Sequence, residues 1–108
     1  MPNYLIIQSQ DPFSDARTKS QYELIHNLAS AENTITVLLV QNGVMPARRG
    51  SIYKPFDLLC YQNINILADK FSLEQRQISI DQLKPGVLAA DLDVVIKAML
   101  SGHKVIWH

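Results

Sequence analysis

With 108 residues, 47% of them apolar, the chain has material for one compact domain with a sizeable core and too little for two. Ten Lys and Arg balance ten Asp and Glu, so no net field draws it to nucleic acid or to an anionic membrane, and partners must be recognised locally. A single cysteine, Cys60, excludes an internal disulfide framework and agrees with a reducing compartment. The opening apolar run is far short of a signal peptide or a membrane span, and the expected location is cytoplasmic.

Tyr4 to Ile7 is a short apolar run, and Gln8-Ser-Gln-Asp-Pro12 after it carries turn chemistry, which predicts a buried strand and a loop. A helix is expected from about Ser14, a good cap, to Ala31, with Asp15 favouring its dipole and Leu24, Ile25, Leu28 and Ala29 as its core stripe. Thr34 to Val40 is nearly continuous β-branched and apolar sequence, as a strand covered on both faces requires. The loop after it, through Asn42, Gly43, Arg48, Arg49 and Gly50, reads as long, flexible and basic.

Pro55 suits the first turn of a second helix running to about Gln62, with Phe56, Leu59 and Cys60 on one side. Ile64 to Ala68 reads as a third strand leading into an exposed charged pair, Asp69 and Lys70. Ser72 with Gln75 suggests a capping box for a helix from Leu73. Ile78 to Ile80 is a candidate fourth strand and Lys84-Pro-Gly86 a turn. Asp91 could cap a last helix, Leu92 to Leu100, with Leu92, Val95, Ile96 and Met99 buried, before a terminal strand from Lys104 to Trp107. Alternating strands and helices predict an α/β fold with a mainly parallel sheet. Ligands then gather where the loops Ser9 to Asp15, Asn42 to Gly50 and Asp69 to Ser72 meet.

Few chemistries survive this pattern. His26, His103 and His108 form no ligand cluster, so neither a metal nor another cofactor is expected. Asp11 and Asp69 follow strands one and three as the carboxylates of a phosphoacceptor pocket do, but Lys104 stands at the wrong end of the last strand to complete one. The four glycines each stand alone, which removes a phosphate loop. Arg48 and Arg49 suit an anion or a partner, or serve as solubilising charge. Cys60, near the unfavourable end of its helix and on the stripe of Phe56, reads as buried and structural. Tyr53, Tyr61 and Trp107 read as packing or interface residues.

The order of elements, together with Tyr4-Leu-Ile-Ile-Gln8, Thr34 to Val44, Ile64 to Ile78 and above all Val87 to Trp107, resembles the small DsrE/DsrF/DsrH-type sulfur-relay family over almost the whole chain. The resemblance implies one flavodoxin-like three-layer domain over residues 1–108, with a mainly parallel sheet of about five strands. Sulfur carriers of the family place a cysteine in or just after the third strand. The matching positions here, Leu67 to Lys70, hold none, while Arg76 matches the family arginine and Gln77 stands where glycine is usual.

A persulfide requires a thiolate, so the resemblance implies a DsrH-like or otherwise cysteine-free accessory protein with no enzymatic activity of its own. Its partners would be protein subunits of a sulfur relay, in intracellular sulfur oxidation or tRNA thiolation, in a homo- or hetero-oligomer, without direct contact to nucleic acid or membrane. Asp11, Arg48, Arg49, Asp69, Lys70 and Arg76 are the residues expected to bind a partner or a small anion. Two alternatives stand beside this: a sulfurtransferase carrying a persulfide on Cys60, and a structural oligomer without ligand.

Overall fold

The computed structural model describes residues 3–14, 16–31 and 33–108. Five strands, β1 (Asn3–Gln8), β2 (Thr34–Leu39), β3 (Asn65–Asp69), β4 (Val87–Ala90) and β5 (Lys104–Trp107), form one sheet in the order β4-β3-β2-β1-β5, with every pairing parallel. Four helices join them: α1 (Thr18–Ser30), α2 (Lys54–Leu59), α3 (Lys70–Gln75) and α4 (Asp93–Leu100). This is the three-layer, flavodoxin-like α/β architecture that the alternation of elements predicts.

The strand order explains how the layers are filled. From β1 the chain steps in one direction to β2, β3 and β4, then β5 returns to the far side of β1. Crossovers between parallel strands keep one hand, so the three forward steps lie on one face and the return lies on the other. The first face is a large core in which Ile6, Val37, Leu39, Ile66 and Ala68 of the sheet meet Tyr22 and Ile25 of α1, Phe56 and Leu59 of α2, and Leu73 of α3. The second face packs Leu5, Ile7, Leu38 and Val40 against α4 alone, through Val94, Val95 and Ala98.

Several local expectations change. The first helix begins at Thr18, because Asp11 holds the loop in a turn: its carboxylate accepts from the Phe13 amide at 2.9 Å and the Ser14 hydroxyl at 3.2 Å. Ser14 is thus part of the turn and does not cap; Asp15 lies outside the described residues. Tyr22 fills the buried position expected of Leu24, which is exposed. The loop after β2 is a 3-10 helix, Gln41–Ala47, with Gly43, Val44, Pro46 and Ala47 buried. Gly43 is required there, since a Cβ would overlap the Gln8 carbonyl oxygen.

Ile78 to Ile80 forms no strand; the fourth strand is Val87–Ala90, which the turn at Lys84 to Gly86 precedes. Asp91 makes no side-chain cap to α4. The stripe Leu92, Ile96 and Met99, expected to be buried, faces outward at 53%, 61% and 62% exposure, because Val94, Val95 and Ala98 are the positions that meet the sheet. A helix apolar on both sides is unusual at a surface that stays wet. Among the described residues, no helix is long and apolar enough to cross a membrane.

Candidate functional site

The stretch from β3 into α3 is a clamp. Asp69, expected to be exposed, is 4% exposed and is itself the cap of α3: its Oδ2 accepts from the Ser72 amide at 3.0 Å and the Ser72 hydroxyl at 2.7 Å. Ser72 lies inside the helix as the recipient of this cap and does not start it. The Ser72 oxygen in turn accepts from the Gln41 amide at 2.8 Å, which ties the end of β2 to the start of α3. With Oδ2 holding both donors of Ser72, this buried carboxylate serves as the cap of the helix.

α3 ends in a complete reverse turn. The Gln77 amide donates to Glu74 O at 3.1 Å and the Ile78 amide to Leu73 O at 2.9 Å, the Schellman pattern, with buried Leu73 and Ile78 completing it. Gln77 has φ 54°, the left-handed region that favours glycine. The turn presents Arg76, whose Nε and Nη2 donate to Asn42 Oδ1 at 3.2 and 3.0 Å while Nη1 donates to Ser72 O at 3.1 Å.

Arg76 stands on one wall of a cleft of about 850 Å³ that also takes in Arg48, Arg49, Phe13, Ile52 and Asp81. The opposite wall is tied down by backbone: Arg48 and Leu83 form an antiparallel bridge, and the Arg49 amide donates to Gln82 O at 2.7 Å. Arg48 Nε donates to Met45 O at 2.9 Å and Arg49 Nε to Leu83 O at 3.0 Å. Each of these two guanidiniums is therefore anchored at its inner nitrogen, with its two outer nitrogens unclaimed among the described residues. Among the described residues none of the three arginines has a carboxylate partner. Asp81, the carboxylate of the cleft, accepts from the Ser79 hydroxyl.

The expected site residues thus divide. Arg48, Arg49 and Arg76 come together in the cleft. Asp11 and Asp69 stay outside it and set the loops that shape it, Asp11 through the amide of Phe13. Lys70 stands elsewhere, 3.9 Å from Asp91. Phe13, Ile52 and Asp81 were not anticipated; a loop phenylalanine gives no periodic signal by which to place it.

Cys60 corrects one expectation. It is exposed, not buried, because α2 stops at Leu59 and the thiol falls just past the helix end. It lies where β3 is about to begin, at the end of the sheet away from the carboxyl edge. Partial burial, then the nearby Asp57 carboxylate, push its pKa up against the opposing pull of Lys84, and the thiol donates weakly to Phe56 O at 3.8 Å. Both features hold it protonated, the less nucleophilic form.

A second feature escaped the sequence. Among the described residues, Gln8 Nε2, Thr18 Oγ1 and Tyr22 Oη are buried without a hydrogen-bond partner. Gln8 and Ile6 alternate onto the face that α1 covers, so the three groups belong to the layer beneath that helix. Burial pushes the Tyr22 phenol far up, with Tyr53 and Asp11 adding to it, so it stays neutral.

No protein-family model matches the chain, and no curated protein matches it in sequence. Among solved structures it is similar to the protein of unknown function MTH1491 from Methanobacterium thermoautotrophicum, with TM-score 0.87 and 19% identity, and to the ychN protein from E. coli, with TM-score 0.89 and 21% identity. Both comparisons cover 100% of each chain. What the chain shares with these two proteins is a small α/β fold, kept from end to end.

Proposed function

We propose that this protein is a noncatalytic, accessory protein of the DsrE-like sulfur-relay type that binds a small anion, or an anionic group of a partner, in the arginine cleft. The observation that carries the reading is the cleft itself: three guanidiniums on one opening, two of them anchored through Nε with both outer nitrogens free, and no carboxylate paired to any of them among the described residues. Such forks match the oxygens of an oxyanion. The noncatalytic part rests on the strand-to-helix turn, where a carrier would need a thiol and this chain has Asp69 buried as a helix cap.

Titration with inorganic phosphate and with thiosulfate at low ionic strength tests the cleft. Binding should be saturable in the protein and absent in the double variant Arg48→Ala, Arg49→Ala. Unsaturable or unchanged binding would remove the site. The alternative of a persulfide on Cys60 is tested by intact mass after incubation with a persulfide donor. No sulfur adduct is expected, and an adduct abolished by Cys60→Ser would replace the accessory reading with a carrier.

The outward stripe of α4 supports the accompanying proposal of an oligomer. Leu92, Ile96, Met99 and Leu100 of this helix are exposed together with Leu88 and Trp107, which alternate onto the same face of the sheet. Exposed apolar side chains gathered on one face mark association, and with no net charge to oppose self-contact we assign this face to a second copy of the chain.

A further inference from the structure

The cleft is not lined by charge alone. Phe13 is 51% exposed and Ile52 85% exposed, and both border it beside the arginines. Phe13 is no stray loop residue: its amide is held by Asp11 at 2.9 Å, and its ring meets Tyr53 edge-on at 5.7 Å. Tyr53 meets Tyr22 in the same way at 5.6 Å, and Tyr22 meets Phe56 at 6.1 Å, so a chain of rings runs from the buried core to the cleft wall. The outermost ring is braced from behind and wet in front. Bracing an aromatic ring at an opening, where solvent gains nothing from it, suits an apolar body placed against it.

The charge of the opening defines the other half of the ligand. Three arginines against one aspartate leave a net two positive charges at the cleft. A phosphate monoester carries about −1.5 to −2 at neutral pH and offers its oxygens tetrahedrally. Two anchored forks, on consecutive residues Arg48 and Arg49, can share such a head, while Arg76, with three of its five N–H groups committed to Asn42 and Ser72, mainly adds field.

We infer that the cleft binds a small amphipathic phosphate monoester, its oxyanion on the outer nitrogens of Arg48 and Arg49 and its flat apolar body on Phe13 and Ile52. This rests on the reading of the cleft as an anion site and adds the ligand's second half. The volume of about 850 Å³ suits a small molecule of this kind.

Calorimetric titrations with phenyl phosphate, inorganic phosphate and phenol, at one low ionic strength, test it. Phenyl phosphate should bind about tenfold or more tightly than inorganic phosphate, with phenol showing no saturable binding. Phe13→Ala should remove most of that advantage and leave phosphate binding unchanged; if that variant loses its circular dichroism, Ile52→Ser supplies the same comparison from a more exposed position. Equal affinities for phenyl phosphate and phosphate would overturn the amphipathic ligand and leave the anion site standing. No binding of either would overturn both. Phenol binding as tightly as phenyl phosphate would reject the arginines as the head-group site.

Discussion

On one face of the sheet, three helices and a 3-10 helix close over a core in which Tyr22, Ile25, Phe56 and Leu59 are within 1% of complete burial. On the other, a single eight-residue helix covers the middle of the sheet and leaves Leu88 and Trp107, on the two edge strands, exposed. The difference follows from topology: three crossovers share one face because they step in one direction, and the return journey supplies only α4 to the other. One side is thus finished by the chain's own residues, and its rim carries the arginine cleft. The other side has apolar surface to spare.

The largest test of this contrast is Phe56→Ala. Its ring is fully buried, edge-on to Tyr22 and with the Lys84 ammonium 5.3 Å from its centroid, so its loss should destabilise the protein by about 3–5 kcal/mol in chemical denaturation. A loss below 1 kcal/mol would mean that the first face is not a close-packed interior. Asp69→Ala should cost about 1–2 kcal/mol, since it removes the cap of α3 and the brace on Ser72. It should also loosen the Gln41 amide, visible as faster hydrogen exchange at that position.

Gln77→Gly is expected to work in the other direction. Its left-handed φ suits glycine, so the variant should gain about 0.5–1 kcal/mol; no gain would show that the side chain repays the strain at the cleft edge. The smallest effect on stability belongs to the second face. Ile96→Lys with Leu100→Lys should shift unfolding at low protein concentration by less than about 0.5 kcal/mol, because both side chains are in solvent within one chain. In sedimentation velocity the same variant should lose the association proposed for α4. A double variant that unfolds would instead place these residues in the protein's own core.

Cys60 offers a test by pH. Its pKa is raised on folding, so any stability linked to the protonated thiol is present below the unfolded pKa and fades as pH rises through the folded value. The kinetic counterpart is alkylation by iodoacetamide: at pH 8 native protein should react more slowly than urea-unfolded protein. Equal rates would restore Cys60 as a candidate carrier.

β1, β2, β3 and β5 were legible because β-branched and apolar runs bounded by turn residues leave little choice, and β2 differs from its expected span only at Val40; β4 was not, since Val87–Ala90 is short and alanine-rich while Ile78 to Ile80 carries the stronger local strand signal. Helix direction was harder. Leu92, Ile96 and Met99 announce an apolar stripe, yet Val94, Val95 and Ala98 announce another, and sequence periodicity cannot say which one meets the sheet. At Asp69 the residue type was compatible with both an exposed charge and a cap, and only the approach of Ser72 and Gln41 decides between them. The cleft was half legible: Arg48 and Arg49 stand side by side in sequence, but Phe13 and Arg76 join them through contacts with Tyr53 and Asn42, far apart along the chain.

The chain has one tryptophan, and it sits on the sparsely covered face at 67% exposure. Its indole is therefore an optical gauge fixed to one side of the molecule. A second copy docking over α4 and β5 would dry that ring and move its emission to shorter wavelength, whereas a ligand in the arginine cleft, on the other side of the sheet, would leave the colour of the light unchanged. One unlabelled sample can thus report separately on the two events proposed for the protein.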